Sequence, residues 1–146
     1  MSAWKNAERQ VAKILGGTRR IRVQYSESCE DVHHTQYAIE VKWGKQIPSW
    51  IAKAIGIGET VLVYYSLWDR VVIFPLQDHP LSLSRDKMTK KIMRKRKKFL
   101  HDGLLQAQSY NNKIPLLCLK PRGYRGIIGC MWVRDYVRAI SYDRRG

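Results

Sequence analysis

The chain has 146 residues, with 27 Lys and Arg against 12 Asp and Glu and a formal net charge of +15. That length suits one domain with a real core, and no apolar run approaches the eighteen residues of a membrane span. A charge this positive points to a polyanionic partner, nucleic acid before an anionic membrane surface, because no basic amphipathic helix with an aromatic apolar face stands out.

In chain order, Trp4, Ala7, Val11, Ile14 and Leu15 recur at helical spacing, so residues 3–15 are predicted to form an amphipathic helix. Ser2 suits its N-cap and Gly16-Gly17 its stop. Glu8 falls on the border of the buried face. It is either a boundary glutamate paired with Lys5 or a nearby arginine, or a carboxylate that the helix delivers to a site. Residues 19–25 alternate, with Arg20, Arg22 and Gln24 on one face and Ile21, Val23 and Tyr25 on the other, as in a half-buried strand. Residues 26–30 read as a loop, in which Ser26 and Ser28 either satisfy turn backbone or touch a phosphate.

The chemistry concentrates in Asp31 to Lys42, two short strands around a turn at Thr35-Gln36. That turn pairs His34 with Tyr37 and brings Asp31 opposite Glu40, with Lys42 beside them on the same face. Like charges facing each other across strands are destabilising, and a divalent cation offsets that cost. Mg²⁺ commonly uses one or two carboxylates plus water and phosphate, and Mn²⁺ suits the same oxygens. A lysine at such a site orients water or stabilises charge on a phosphate. The rival reading is a surface hairpin of mixed charge.

Pro48 opens a short helix from Ser49 to Ile55, and Lys45 and Lys53 flank the site where they could track a nucleic-acid backbone. Thr60 to Leu67 and Arg70 to Leu76 read as a hairpin joined at Trp68-Asp69. Its apolar residues Val61, Val63, Tyr65, Val72 and Phe74 are either core or part of an oligomer contact. Residues 77–86 read as a loop. Met88 to Tyr110 has a long helical pattern whose first half carries eight cations in the twelve positions 87–98, Arg94, Lys95, Lys97 and Lys98 among them. Like charges at i,i+4 repel, which favours a phosphate-contacting surface over a merely solvated face. Ile114 to Lys120 and Ile127 to Arg134 read as strands, Pro121-Arg122-Gly123 as the start of the turn between them, and residues 134–140 as a terminal helical turn. The order predicts an α/β domain, a central mixed sheet flanked by helices. Cys29, Cys118 and Cys130 have neither disulfide nor zinc spacing, which suggests reduced thiols in a cytoplasmic compartment (the host's, for a viral chain).

Taken together, Glu8, the strand and loop from Arg19 to Ser28, Asp31-Val32, Ile39-Glu40-Val41-Lys42, Pro48-Ser49-Trp50, Gln106-Ala107 and Ile114-Pro115-Leu116-Leu117 resemble the PD-(D/E)XK nuclease superfamily. Within it they resemble the archaeal-type Holliday junction resolvases and their phage relatives. The resemblance covers roughly residues 3–55 and 103–135. Glu30 stands where the superfamily's nominal proline precedes the first aspartate, and residues 57–100 read as an insertion. The resemblance implies a restriction-endonuclease-like fold and a homodimer or higher homo-oligomer acting on four-way DNA junctions. It implies Mg²⁺ on Asp31 and Glu40, with the Val41 carbonyl as a further ligand and Glu8 completing the site or holding a second metal. Lys42 would position water or stabilise the transition state, and Gln106 would support the site. Arg19, Arg20, Arg22 and Ser28 become candidates for phosphate contacts. A non-catalytic basic DNA-binding protein, or a different nuclease of the same superfamily, are the rival functions.

Overall fold

In a computed structural model, the described residues are 3–19, 31–56, 60–64, 70–76, 88–89 and 99–138. Helix α1 (Ala3–Leu15) has the expected bounds and is followed by β1 (Thr18–Arg19), β2 (Val32–His33) and β3 (Tyr37–Trp43). A short 3-10 turn (Gly44–Gln46) and α2 (Ser49–Ile55) lead to β4 (Thr60–Tyr64), β5 (Arg70–Pro75) and β6 (Met88–Thr89). Then come α3 (Phe99–Gln108), β7 (Ile114–Lys120) and β8 (Ile128–Trp132), and residues 133–138 are helical. The strands form one mixed eight-stranded sheet in the order β1-β2-β3-β7-β8-β5-β4-β6. Among the described residues no helix is long and apolar enough to cross a membrane.

The period-two alternation of the strands sorts the core onto two faces. Ile39, Val41, Val72, Phe74, Leu116 and Cys118 pack with Val11 and Leu15 of α1. The intervening residues Val71, Ile73, Leu117 and Leu119 pack with Ile51 and Ile55 of α2 and Leu100 and Leu104 of α3. Strand β7 is apolar on both faces because helices cover both, as expected for a strand at the centre of a mixed sheet. Each fully buried Leu or Ile here contributes about 1.5–3 kcal/mol of transfer free energy.

Two glycines set the helix positions. Gly16 takes φ 74° just past α1, and the Gly17 N–H closes onto the Ala12 carbonyl at 2.9 Å. This is a left-handed cap that ends the helix where the sequence places its stop. Gly103 lies so close to β7 that an added Cβ would meet Leu117 Cδ2 at 2.7 Å. The close approach seats α3 on the sheet, so its C-terminal end reaches β3.

The hairpin expectation holds, and three others need correction. The expected hairpin forms from β4 and β5, pairing Tyr64 with Arg70 and Val61 with Ile73, and the join at Trp68-Asp69 lies outside the described residues. The apolar faces decide the register: Val61, Val63, Val71 and Ile73 belong to one core cluster, and a shift by three residues would turn one strand's apolar set to the opposite face. Val61, Val63, Val72 and Phe74 are fully buried, so they are core and not an oligomer contact; Tyr65 lies outside the described residues. The long helix does not begin at Met88. Met88–Thr89 form β6, parallel to β4, and supply hydrogen-bonding partners along what would otherwise be an open strand edge. The described helix starts at Phe99. At the C-terminal end the chain turns helical at Val133, inside the expected strand.

Candidate active site

The hairpin register is the one expected from a turn at Thr35-Gln36: Val32 pairs with Ile39. Asp31 brackets Glu40. Its N–H donates to the Ile39 carbonyl at 3.0 Å, and its Oδ2 accepts the Val41 N–H at 2.8 Å. Strand β2 is only two residues long, so the Asp31 carboxylate satisfies a β3 backbone donor beyond the end of the ladder. A buried backbone N–H left unsatisfied there would cost about 1–3 kcal/mol. The same bond fixes the carboxylate beside Glu40.

Glu40 is 4% exposed and is held at both oxygens. Oε1 lies 3.2 Å from Lys42 Nζ, and Oε2 accepts the Tyr110 hydroxyl at 2.5 Å. Gln106 closes the ring. Its Oε1 accepts from Lys42 Nζ at 3.1 Å, and its Nε2 donates to the Tyr110 oxygen at 3.0 Å. Four side chains from β3, α3 and the turn after α3 thus form one hydrogen-bonded circuit around a buried carboxylate. Burial, and then the bond to Glu40, push the Tyr110 phenol well above its ordinary range, so Tyr110 stays a proton donor at neutral pH.

Glu8 enters from α1. It is 7% exposed, and its Oε2 accepts from Arg19 Nε at 2.7 Å. The Arg19 guanidinium also lies 5.3 Å from the Trp4 ring centroid. This is the paired boundary glutamate of the sequence reading, yet the pair also lines the cleft. Arg19 is thus held by Glu8 and Trp4 at the wall of the cleft.

These groups line one cleft of about 540 Å³: Glu8 and Arg19, Asp31, Glu40, Val41 and Lys42, and Gln106. Lys5 also lines it, so three carboxylates face three cations. Among the described residues, no three His, Cys, Asp or Glu side chains gather into a metal-binding group, and Glu8 lines the same cleft as Asp31 and Glu40. Asp31 and Glu40 supply two adjacent carboxylates, which fits Mg²⁺ held mainly by water and phosphate.

The other sequence-nominated residues fall elsewhere. Lys45 is exposed and lines a second, neighbouring cleft. Lys53 is exposed on α2 and lines neither cleft. Arg20, Arg22, Ser28, Arg94, Lys95, Lys97 and Lys98 lie outside the described residues. Sequence reasoning missed Tyr110. Its signal was the four-residue step from Gln106 along one helix face, masked because Tyr110 also fitted the helix's apolar pattern. It also missed His34, whose Nδ1 accepts the Gln36 N–H at 3.0 Å and whose Nε2 meets the Leu15 carbonyl at 3.1 Å. That ring ties the hairpin turn to the end of α1. Cys118 and Cys130 are buried free thiols, pushed up in pKa by burial. No family model, curated protein or solved structure matches the chain.

Proposed function

We propose that this protein is a metal-dependent DNA endonuclease of the restriction-endonuclease-like class, acting on four-way junctions by paired symmetric nicks. The observation that carries the reading is the bracketing of buried Glu40 by Asp31, with Lys42 3.2 Å away, in a chain of net charge +15. Glu8 and Gln106, the two accessory positions that the resemblance names, line the same cleft from separate helices. The preference for junctions, and the two-fold oligomer that symmetric nicking calls for, rest on the resemblance.

Asp31 and Glu40 would hold Mg²⁺, with the Val41 carbonyl as a further oxygen. When bound, the ion lowers the pKa of its water and neutralises charge on the scissile phosphate. The chain's own residues set the stage. Asp31 is oriented by the Val41 N–H. Tyr110 and Gln106 hold Glu40 and Lys42 in register. Lys42, beside Glu40, would present its ammonium to the phosphate oxygens, where charge builds in the transition state.

The test is cleavage of a synthetic four-way junction and a linear duplex of matched sequence, in Mg²⁺ or EDTA. Paired nicks in the junction alone, absent in EDTA, are expected. Equal cutting of both substrates would remove the junction preference, and no cutting with any divalent ion while DNA binding persists would reject the nuclease.

A further inference from the structure

A second cleft, of about 870 Å³, opens beside the first and shares Trp43 and Gln46 with it. Its composition is different in kind. Among the described residues, Lys45, Lys120, Arg122 and Arg125 line it with no acidic residue, and Trp43 and Tyr124 supply aromatic walls. One of the four cations is structural: Lys120 Nζ donates to the Tyr124 carbonyl at 2.8 Å and the Gly126 carbonyl at 3.1 Å, which braces the turn after β7. Lys45, Arg122 and Arg125 are exposed. Trp43 is 38% exposed, an unusual position for so large a ring. Tyr124 is half-buried and packs against the core beneath β7 and β8, so its position is fixed by the fold.

Cations without acids select an anion, and aromatic walls select one with a flat apolar part. A nucleotide has both, and a cationic groove with stacking aromatics is the usual construction for an unpaired strand. We propose that this second cleft is a subsite for an unpaired base of the DNA strand, stacked on Trp43 and Tyr124 with its flanking phosphates on Lys45, Arg122 and Arg125. The assignment rests on the nuclease reading of the first cleft, because the shared Trp43 makes the base a near neighbour of the phosphate at Asp31 and Glu40. A base in an intact duplex must leave its stack to enter, at a cost of a few kcal/mol, whereas an unpaired base enters at least cost. The subsite therefore selects branch points, bulges and gaps over continuous duplex.

The probe is a short duplex carrying one extrahelical 2-aminopurine, compared with a fully paired duplex carrying the same fluorophore, both titrated with the whole chain in EDTA. The bulged probe is expected to bind more tightly and to lose fluorescence on binding. Trp43→Ala and Tyr124→Ala should each weaken its binding by about 5- to 150-fold, the range for removing one stacked base, with little change on the paired probe. Tyr124→Phe should restore binding. Equal affinity for the two probes, unquenched fluorescence in the bound complex, or equal losses on both probes would overturn the proposal. Because no metal is present, the subsite is judged apart from catalysis. A chain that quenches the probe but never cuts DNA keeps the subsite and loses the nuclease, whereas one that cuts in Mg²⁺ but leaves the probe bright keeps the nuclease and loses the subsite.

Discussion

The two clefts share Trp43 and Gln46 but are built on opposite electrostatic plans. In the first, three carboxylates are matched by three cations, and Glu40 is held in a closed ring of side chains. In the second, among the described residues, cations stand without acids around two aromatic residues. The difference separates two tasks. Activating water and bearing charge at phosphorus needs buried, oriented acids, and those are tolerable only with neighbouring cations to offset desolvation. Gripping a strand needs exposed cations and ring faces, which tolerate motion but weaken with salt. Among the described residues the first cleft is thus locally balanced in charge, and the second is not.

The comparison breaks most decisively at Glu40. Glu40→Gln keeps a hydrogen-bonding side chain but removes the charge, and is expected to lower the cleavage rate by about 10³-fold or more. Binding to the bulged duplex in EDTA should not change; a parallel loss of binding would merge the two clefts into one site. Tyr110→Phe should come next. It leaves the ring packed but frees one Glu40 oxygen, and supporting groups of this kind typically change metal affinity or activity by about 10–100-fold. The half-saturating Mg²⁺ concentration should rise, a readout that a purely structural tyrosine would not move. Arg122→Ala or Arg125→Ala should leave cleavage chemistry intact under saturating DNA. Each should reduce the slope of log affinity against log salt by about 0.7–0.9 for every phosphate the protein no longer neutralises, and an unchanged slope would make these arginines a solvated surface.

The smallest effect concerns the tether between the hairpin and α1. Burial lowers the His34 pKa, Lys113 and His33 add to the lowering, and only the bond to the Leu15 carbonyl opposes it. Lys113 Nζ also donates to the His34 carbonyl at 2.7 Å. A folded-state pKa below the unfolded value favours the neutral ring, so this contribution is present above about pH 6.5 and is lost as pH falls through the lowered folded value. The melting temperature should decline over that window, and the decline should be shallower in His34→Gln. Equal slopes would remove His34 from the account.

Much of this arrangement was legible in the residues, for identifiable reasons. Helix α1 follows from its helical periodicity and clear end signals, and strand β7 from a short, continuous apolar run that stops at Pro121. The Asp31–Glu40 register follows from a turn that leaves one way to bury Val32, Ile39 and Val41 together. The neighbouring hairpin was legible as two strands, but its register was not, because that is chosen by which residues meet α2 and α3. Helical periodicity carried too far at Met88, where pairing with β4 overrides local preference. The Glu40–Lys42–Gln106–Tyr110 ring was only half legible, because the meeting of β3 and α3 depends on how closely Gly103 seats the helix. The second cleft joins the end of β3 to the turn after β7, and sequence distance hides that neighbourhood.

The central claim is that Asp31 and Glu40 form a divalent-metal site, and Mn²⁺ binding measured by electron paramagnetic resonance tests it most directly. The account predicts bound Mn²⁺ in the native chain, abolished in Asp31→Asn and in Glu40→Gln and retained in Trp43→Ala. Mn²⁺ bound equally well by the Asp31→Asn and Glu40→Gln chains would contradict it, and would return the carboxylate pair to a structural role in the hairpin.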